Sequence, residues 1–209
     1  MSLRYRVLSL LVLSACFGAA VLPVTSANAL TPVFINELHY DNTGADTGEG
    51  VEIAGPAGTD LTGWKVRLYN GTNGTAYGVI VLSGVIPDQC NGFGTLWFPE
   101  AGLQNGAPDG LALVDNGGVA VQFLSYEGAM LAVGNEANGM TSTDIGVAES
   151  ESTPVGDSLQ LTGSGAYYEN FLWNVAGPSS AGLCNPGQTF SHPLPVAAAT
   201  WGAIKGMYR

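Results

Sequence analysis

The sequence predicts an all-β fold, and three observations carry that reading. Apolar and β-branched runs of strand length alternate with clusters of Gly, Asn, Asp and Pro along the middle of the chain. Asp115-Asn116-Gly117-Gly118 sits between two apolar runs, 111–114 and 119–121, as in a hairpin whose turn needs positive φ. No segment of ten or more residues before the extreme C-terminus has a capped helical period.

The first predicted strand covers 33–40. Simple alternation puts Ile35, Glu37 and His39 on one face and Phe34, Leu38 and Tyr40 on the other. A carboxylate on a packed face needs hydrogen-bond partners, and backbone N–H groups, Lys65 or Arg67 can serve. An acidic loop, 41–49, leads to a second strand at 50–54. Asp60-Leu61-Thr62-Gly63-Trp64 then turns into a third strand, 64–70, with Trp64 expected in the core beside Leu61 and Val66.

Asn70-Gly71-Thr72-Asn73-Gly74-Thr75 links this strand to 77–82. Its two Asn-Gly-Thr triplets fit the glycosylation pattern, but we read them first as turn chemistry. Further strands are expected at 94–98, 110–115, 119–126, 158–161 and 171–175. In 119–126, Val119, Val121 and Phe123 alternate with Ala120, Gln122 and Leu124. Residues 128–156 have few strand formers and many small polar side chains. So long a connection is unusual within a compact domain, and it reads as an Ω-like loop packed on the sheets.

The ends differ from this middle. Arg4 and Arg6 precede an apolar stretch, and Ala27-Asn28-Ala29 is a small-x-small cleavage signal, so 1–29 reads as a signal peptide and the mature chain as starting at Leu30. Leu13-Ser14-Ala15-Cys16 also fits a lipoprotein signal, which would anchor the protein through Cys16; the apolar residues after Cys16 favour simple secretion. No other run is long and apolar enough to span a bilayer as a helix. The domain is expected over 30–190. Residues 191–209 form a Pro/Ala linker and a short tail in which Trp201, Ile204 and Tyr208 share a helical face and Lys205 and Arg209 supply charge. That tail is a candidate sorting or docking element, for an envelope surface, an export machine or the chain's own acidic domain.

The formal net charge is −11, and all 17 acids lie between Glu37 and Glu169, where the only bases are Lys65 and Arg67. Such a domain repels phosphate backbones, so direct nucleic-acid binding is not expected. Of three cysteines, Cys90 and Cys184 remain after signal cleavage, an even pair in an exported chain, and are expected to form a disulfide.

The acidic loop is the foremost candidate site. Asp41, Asp46 and Glu49, with Asn42 and Thr43, are oxygen ligands of the kind Ca²⁺ takes, although the spacing is not that of an EF-hand. The same residues also serve as ordinary turn formers. His39 and His192 are the only histidines; His39 lacks a local nucleophile motif and is expected to be a half-exposed strand residue. Tyr69, Tyr77, Trp97, Tyr167 and Tyr168 are candidates for a sugar-stacking platform, or for the core.

Several motifs together resemble the lamin-tail domain, in its secreted bacterial branch. They are Ile35-Asn36-Glu37-Leu38, Glu49-Gly50-Val51-Glu52-Ile53, Asp60-Leu61-Thr62-Gly63-Trp64, Asp144-Ile145-Gly146, Asp157-Ser158-Leu159-Gln160-Leu161, Trp173 and Gly187-Gln188-Thr189-Phe190. The resemblance covers about 33–190 and implies an immunoglobulin-like β-sandwich. In that branch the domain often stands beside extracellular nucleases or phosphatases, or repeats in surface proteins. No catalytic domain accompanies it here, so no enzymatic role carries over.

The resulting expectation is a secreted or cell-surface, non-catalytic binding or scaffolding module, stabilised by Ca²⁺ if the acidic loop holds an ion. Its partner would be a protein or a surface polysaccharide. The alternatives are a carbohydrate-binding module and an accessory to a separate secreted hydrolase. A scaffold should show an apolar patch or open sheet edge, a sugar binder exposed coplanar aromatics, and an enzyme a pocket of convergent polar groups.

Overall fold

A computed structural model describes residues 30–191. The signal segment with Cys16, and the tail with His192, Trp201, Ile204, Lys205, Tyr208 and Arg209, lie outside the described residues. Among the described residues no helix is long and apolar enough to cross a membrane.

The strands are β1 (Phe34–His39), β2 (Gly50–Pro56), β3 (Lys65–Asn70), β4 (Ala76–Val81), β5 (Phe93–Pro99), β6 (Asp109–Val114), β7 (Ala120–Tyr126), β8 (Thr143–Asp144), β9 (Asp157–Gly165), β10 (Phe171–Pro178) and β11 (Gln188–Phe190). They form two sheets, as the sequence predicts. One runs β10-β9-β1-β2-β5 with β11 added to β9, and the other runs β4-β3-β6-β7-β8. The short β8 and β11, which strand propensity missed, are the two that pair in parallel.

The sheets pack face to face. Ile35, Leu38, Val51 and Ile53 of one meet Val66, Leu68, Leu111, Leu113 and Leu124 of the other, all buried. Each such side chain contributes about 1.5–3 kcal/mol of burial. Tyr40 and Tyr126 stack across the layer with centroids 3.9 Å apart.

Both outer faces are also partly covered, leaving Val81 of β4 and Leu172 of β10 exposed. The 128–142 part of the long loop lies on the β3-β6-β7 face, over Tyr69, Ala112, Val114 and Phe123, with Met130, Ala132 and Ala137 as its own contribution. Tyr69 fixes this cover by donating its hydroxyl to Gly134 O and accepting Ala137 N–H, both at 3.1 Å. Arg67 adds a two-pronged bond to Glu136, 3.0 Å on each arm, and Lys65 Nζ lies 2.7 Å from the same carboxylate. On the other sheet, the segment after β10 folds back over Phe34, Phe93 and Phe171, ends in Phe190, and is tied down by the Cys90–Cys184 disulfide.

Two bulges change the alternation expected from the sequence. The β1–β2 register shifts between Ile35 and Glu37, so Ile35 joins Leu38 and Tyr40 in the central core, while Phe34 packs in the outer cluster. In β7 the register shifts between the partners Leu113 and Val114, leaving Val121 unmatched and bringing Ala120 onto the outer face near Phe123. An extra residue resets the period of two, which a pattern of apolar positions alone does not register. The Asp115–Gly118 turn is also not the mirror-image type. Only Gly118 has positive φ, +82°, and Asp115 Oδ1 accepts the N–H of Gly117 and Val119. In the other turn, Asn70 and Asn73 accept the N–H groups of Thr72 and Thr75, which is the turn chemistry read from the sequence.

Candidate functional site

Three regions gather polar groups. The first lies where β1 runs into the acidic loop. His39 is 3% exposed, not half-exposed as its sequence context suggested. Its Nδ1 is 2.9 Å from Glu149 Oε1, and its Nε2 faces Asn42 Oδ1 at 3.2 Å and Thr47 O at 3.1 Å. The Asn42 amide is oriented independently, because its Nδ2 donates to Thr43 O and Ala45 O. Nε2 therefore meets two acceptors and Nδ1 meets a carboxylate, so both ring nitrogens carry protons. The hydrogen bond to Glu149 accordingly raises the His39 pKa to about 9 against the opposing effect of burial. The other Glu149 oxygen accepts the N–H of Tyr40 at 2.6 Å and of Asp41 at 3.1 Å. This cluster clamps the long loop to the end of β1, and it leaves His39 no free nitrogen for acid–base chemistry.

The three predicted cation ligands sit in this neighbourhood, and two of them, Asp46 and Glu49, accept protein donors. Asp46 accepts from Asn42 N–H at 3.2 Å and from the Asn105 side chain at 3.1 Å, and these bonds, Asn105 first, lower its pKa. Glu49 accepts Gly102 N–H at 2.6 Å, with burial raising its pKa. Asp41 is buried, and burial followed by the charge of Asp46 raises its pKa. Among the described residues no three His, Cys, Asp or Glu side chains converge as an ion-holding group.

The second region lies beneath the disulfide-pinned segment. Glu37 and Glu52 face each other across β1 and β2, both with no exposed surface. Lys65 and Arg67 do not serve Glu37, as the sequence left open. Its oxygens accept from Ser158 Oγ (2.6 Å), Ser179 Oγ (2.7 Å), and Ser180 N–H and Oγ (3.1 and 2.8 Å). Glu52 accepts from Asn36 Nδ2 at 2.8 Å and Gly182 N–H at 2.7 Å, and burial pushes its pKa up to about 8. Asn185 Nδ2 bonds Asn36 O and Leu161 O, completing the layer. The bonds from Ser179, Ser180, Gly182 and Asn185 hold the covering segment to the sheet, and those from Ser158 and Asn36 join strands within it.

The third region is a groove of about 680 Å³ along the edge of β7, mostly apolar, bounded by Thr31, Val33, Val119, Val121, Met140 and Tyr168. β8 pairs with β7 only at Leu124 and Ser125, so among the described residues no strand pairs on that side of Ala120–Phe123. Gln122 lines the groove and is 7% exposed. Its Oε1 accepts Ile35 N–H at 2.9 Å, which fixes the amide, and its Nε2 is buried with no partner. An unpaired strand edge and an unpaired amide donor are both demands for backbone-like acceptors and donors.

The candidate sugar-stacking aromatics differ in exposure. Tyr69 is fully buried, and Tyr77, Trp97, Tyr167 and Tyr168 are half-buried. Sequence reading missed Glu149, Gln122 and Ser180, since each acts on a strand far away in sequence. The clearest prior signal was the length of the 128–156 loop, which supplies Glu149. Among the described residues the fold is thus an all-β sandwich with an open, apolar groove along the edge of β7. No family model, no curated protein and no solved structure matches this chain.

Proposed function

We propose that this chain is an exported, non-catalytic binding module of the lamin-tail type. It takes an extended segment of a partner protein along the open edge of β7. The observation that carries this reading is the groove itself, where an apolar lining, an unpaired strand edge and the unpartnered Gln122 Nε2 coincide. An added strand supplies main-chain hydrogen bonds for affinity, and apolar side chains fill the lining for specificity. The motif resemblance and the all-β sandwich support the family assignment; the signal-like N-terminus and the disulfide support export. The commitment of both His39 nitrogens supports a role without catalysis.

The test is peptide selection on the chain from Leu30 to Arg209 and on its Val121→Glu variant. Val121 is a partly exposed bulge residue, so the change leaves the core intact. Peptides with alternating apolar residues should bind the parent at least about tenfold more tightly, a difference near 1.4 kcal/mol. Equal binding to both proteins would remove the groove as the site.

A further inference from the structure

We propose that in the isolated protein the β7 groove is filled by the chain's own C-terminal segment, residues 196–209, so that a partner must displace it. This inference rests on the groove being a peptide site.

Three features single out this occupant. The first is position. Ser191, the last described residue, donates its N–H to Gly165 O at 3.0 Å. Three residues on, Tyr168 donates its N–H to Thr31 O at 3.0 Å, and both Tyr168 and Thr31 line the groove. The tail therefore leaves the domain within about 15 Å of the groove's rim: about 3.3 Å for each of three residues, plus about 5 Å between hydrogen-bonded strands. Residues 192–209 span up to about 59 Å at the same rise per residue, several times that distance.

The second feature is charge. Residues 30–191 hold all 17 acids against Lys65 and Arg67, a formal net charge of −15, and those two bases are already paired with Glu136. The tail carries Lys205 and Arg209 and no acid. Glu169, at the groove, is the carboxylate nearest its point of departure along the chain.

The third feature is chemistry. Trp201, Ile204, Met207 and Tyr208 offer apolar surface to Val119, Val121 and Met140. The segment's backbone carbonyls offer an acceptor to Gln122 Nε2. Tethering makes the contact intramolecular, at an effective concentration on the order of millimolar.

Hydrogen–deuterium exchange at 120–123 tests this in the chain from Leu30 to Arg209, against a Trp201→Ala/Ile204→Ala variant that leaves the sandwich untouched. Exchange there should be about tenfold or more faster in the variant, with the parent's protection unchanged between about 1 and about 100 µM protein. Equal exchange in the two proteins would overturn the proposal. Protection that fades on dilution would also overturn it, by showing that a second copy is the occupant. Peptide binding to the tail variant separates the two readings. If added peptides bind it through Val121 while exchange is equal, the peptide site stands and the self-docking falls. If self-docking holds, the variant binds added peptides several-fold more tightly than the parent.

Discussion

Gln122 of β7 accepts the backbone N–H of Ile35 of β1 at 2.9 Å, so one side-chain oxygen ties the two sheets together. Each strand carries a bulge beside this contact, at Asn36 and at Val121. The bond supplies a partner to an Ile35 N–H that is fully buried.

Replacing Gln122 by Met keeps the volume and removes the acceptor. Ile35 N–H is then left unpaired, which costs about 1–3 kcal/mol. Urea unfolding of the parent and Gln122→Met chains measures this directly. A loss below about 0.5 kcal/mol would mean the contact contributes nothing beyond packing.

The His39–Glu149 pair predicts a falling stability as pH rises. Its folded-state pKa, about 9, lies above the ordinary histidine value of 6.5. The native chain thus holds that proton more tightly, and the stabilisation is complete below about pH 6.5 and is lost as pH rises through about 9. Glu52 acts in the same direction. Its pKa of about 8 makes the folded state progressively less favourable between about pH 4.5 and 8. Glu136 works oppositely: Arg67 lowers its pKa to about 2, so its contribution fades only as pH falls below about 4.5. Stability should peak near pH 5 and decline towards pH 9. His39→Gln should flatten the decline above pH 6.5 and cost on the order of 2–3 kcal/mol at pH 6. Melting curves across this range that stay level or rise with pH would refute the assignment.

The acidic loop gives a second solution test. Asp46 and Glu49 already accept protein N–H groups, and the carboxylates do not converge as an ion-holding group. Melting temperature in millimolar Ca²⁺ should therefore match that in EDTA to within about a degree. A clear Ca²⁺-dependent rise, abolished by Asp41→Asn with Asp46→Asn, would show that the loop rearranges around a cation.

The architecture was legible in the sequence wherever a local signal sufficed. Apolar runs located nine of the eleven strands, and the paired cysteines gave the disulfide. The alternation of Ile35 and Phe34 misled because a bulge costs no visible residue type. Propensity alone did not mark β8 and β11, which are two and three residues long and are held by their partners, although both fall in motifs of the lamin-tail resemblance. The site was legible only in outline. Nothing near Gln122 in sequence marks it as the residue that bonds Ile35, and nothing near Glu37 announces Ser158, Ser179 and Ser180.

The segment over Glu37 and Glu52 yields the last prediction. Cys184 lies two residues beyond Gly182, whose N–H holds Glu52, and four beyond Ser180, whose N–H and hydroxyl hold Glu37. The disulfide closes a sequence separation of 94 residues, for which chain entropy gives about 4–5 kcal/mol as an upper figure. It also presses this polar layer onto the sheet, where a donor lost from Glu37 leaves a buried carboxylate short of partners. Cys90→Ser with Cys184→Ser should thus lower stability by about 3–5 kcal/mol and speed exchange at 180–185 before the central strands. Glu37→Ala in the oxidised protein leaves the buried Ser158 hydroxyl without its acceptor, while Ser180 Oγ retains Asn185 Oδ1, and should cost about 1–3 kcal/mol with the disulfide intact. If the cysteine variant unfolded with 180–185 exchanging no faster than β6, the bond would act on the unfolded chain alone and not as the clasp of this layer.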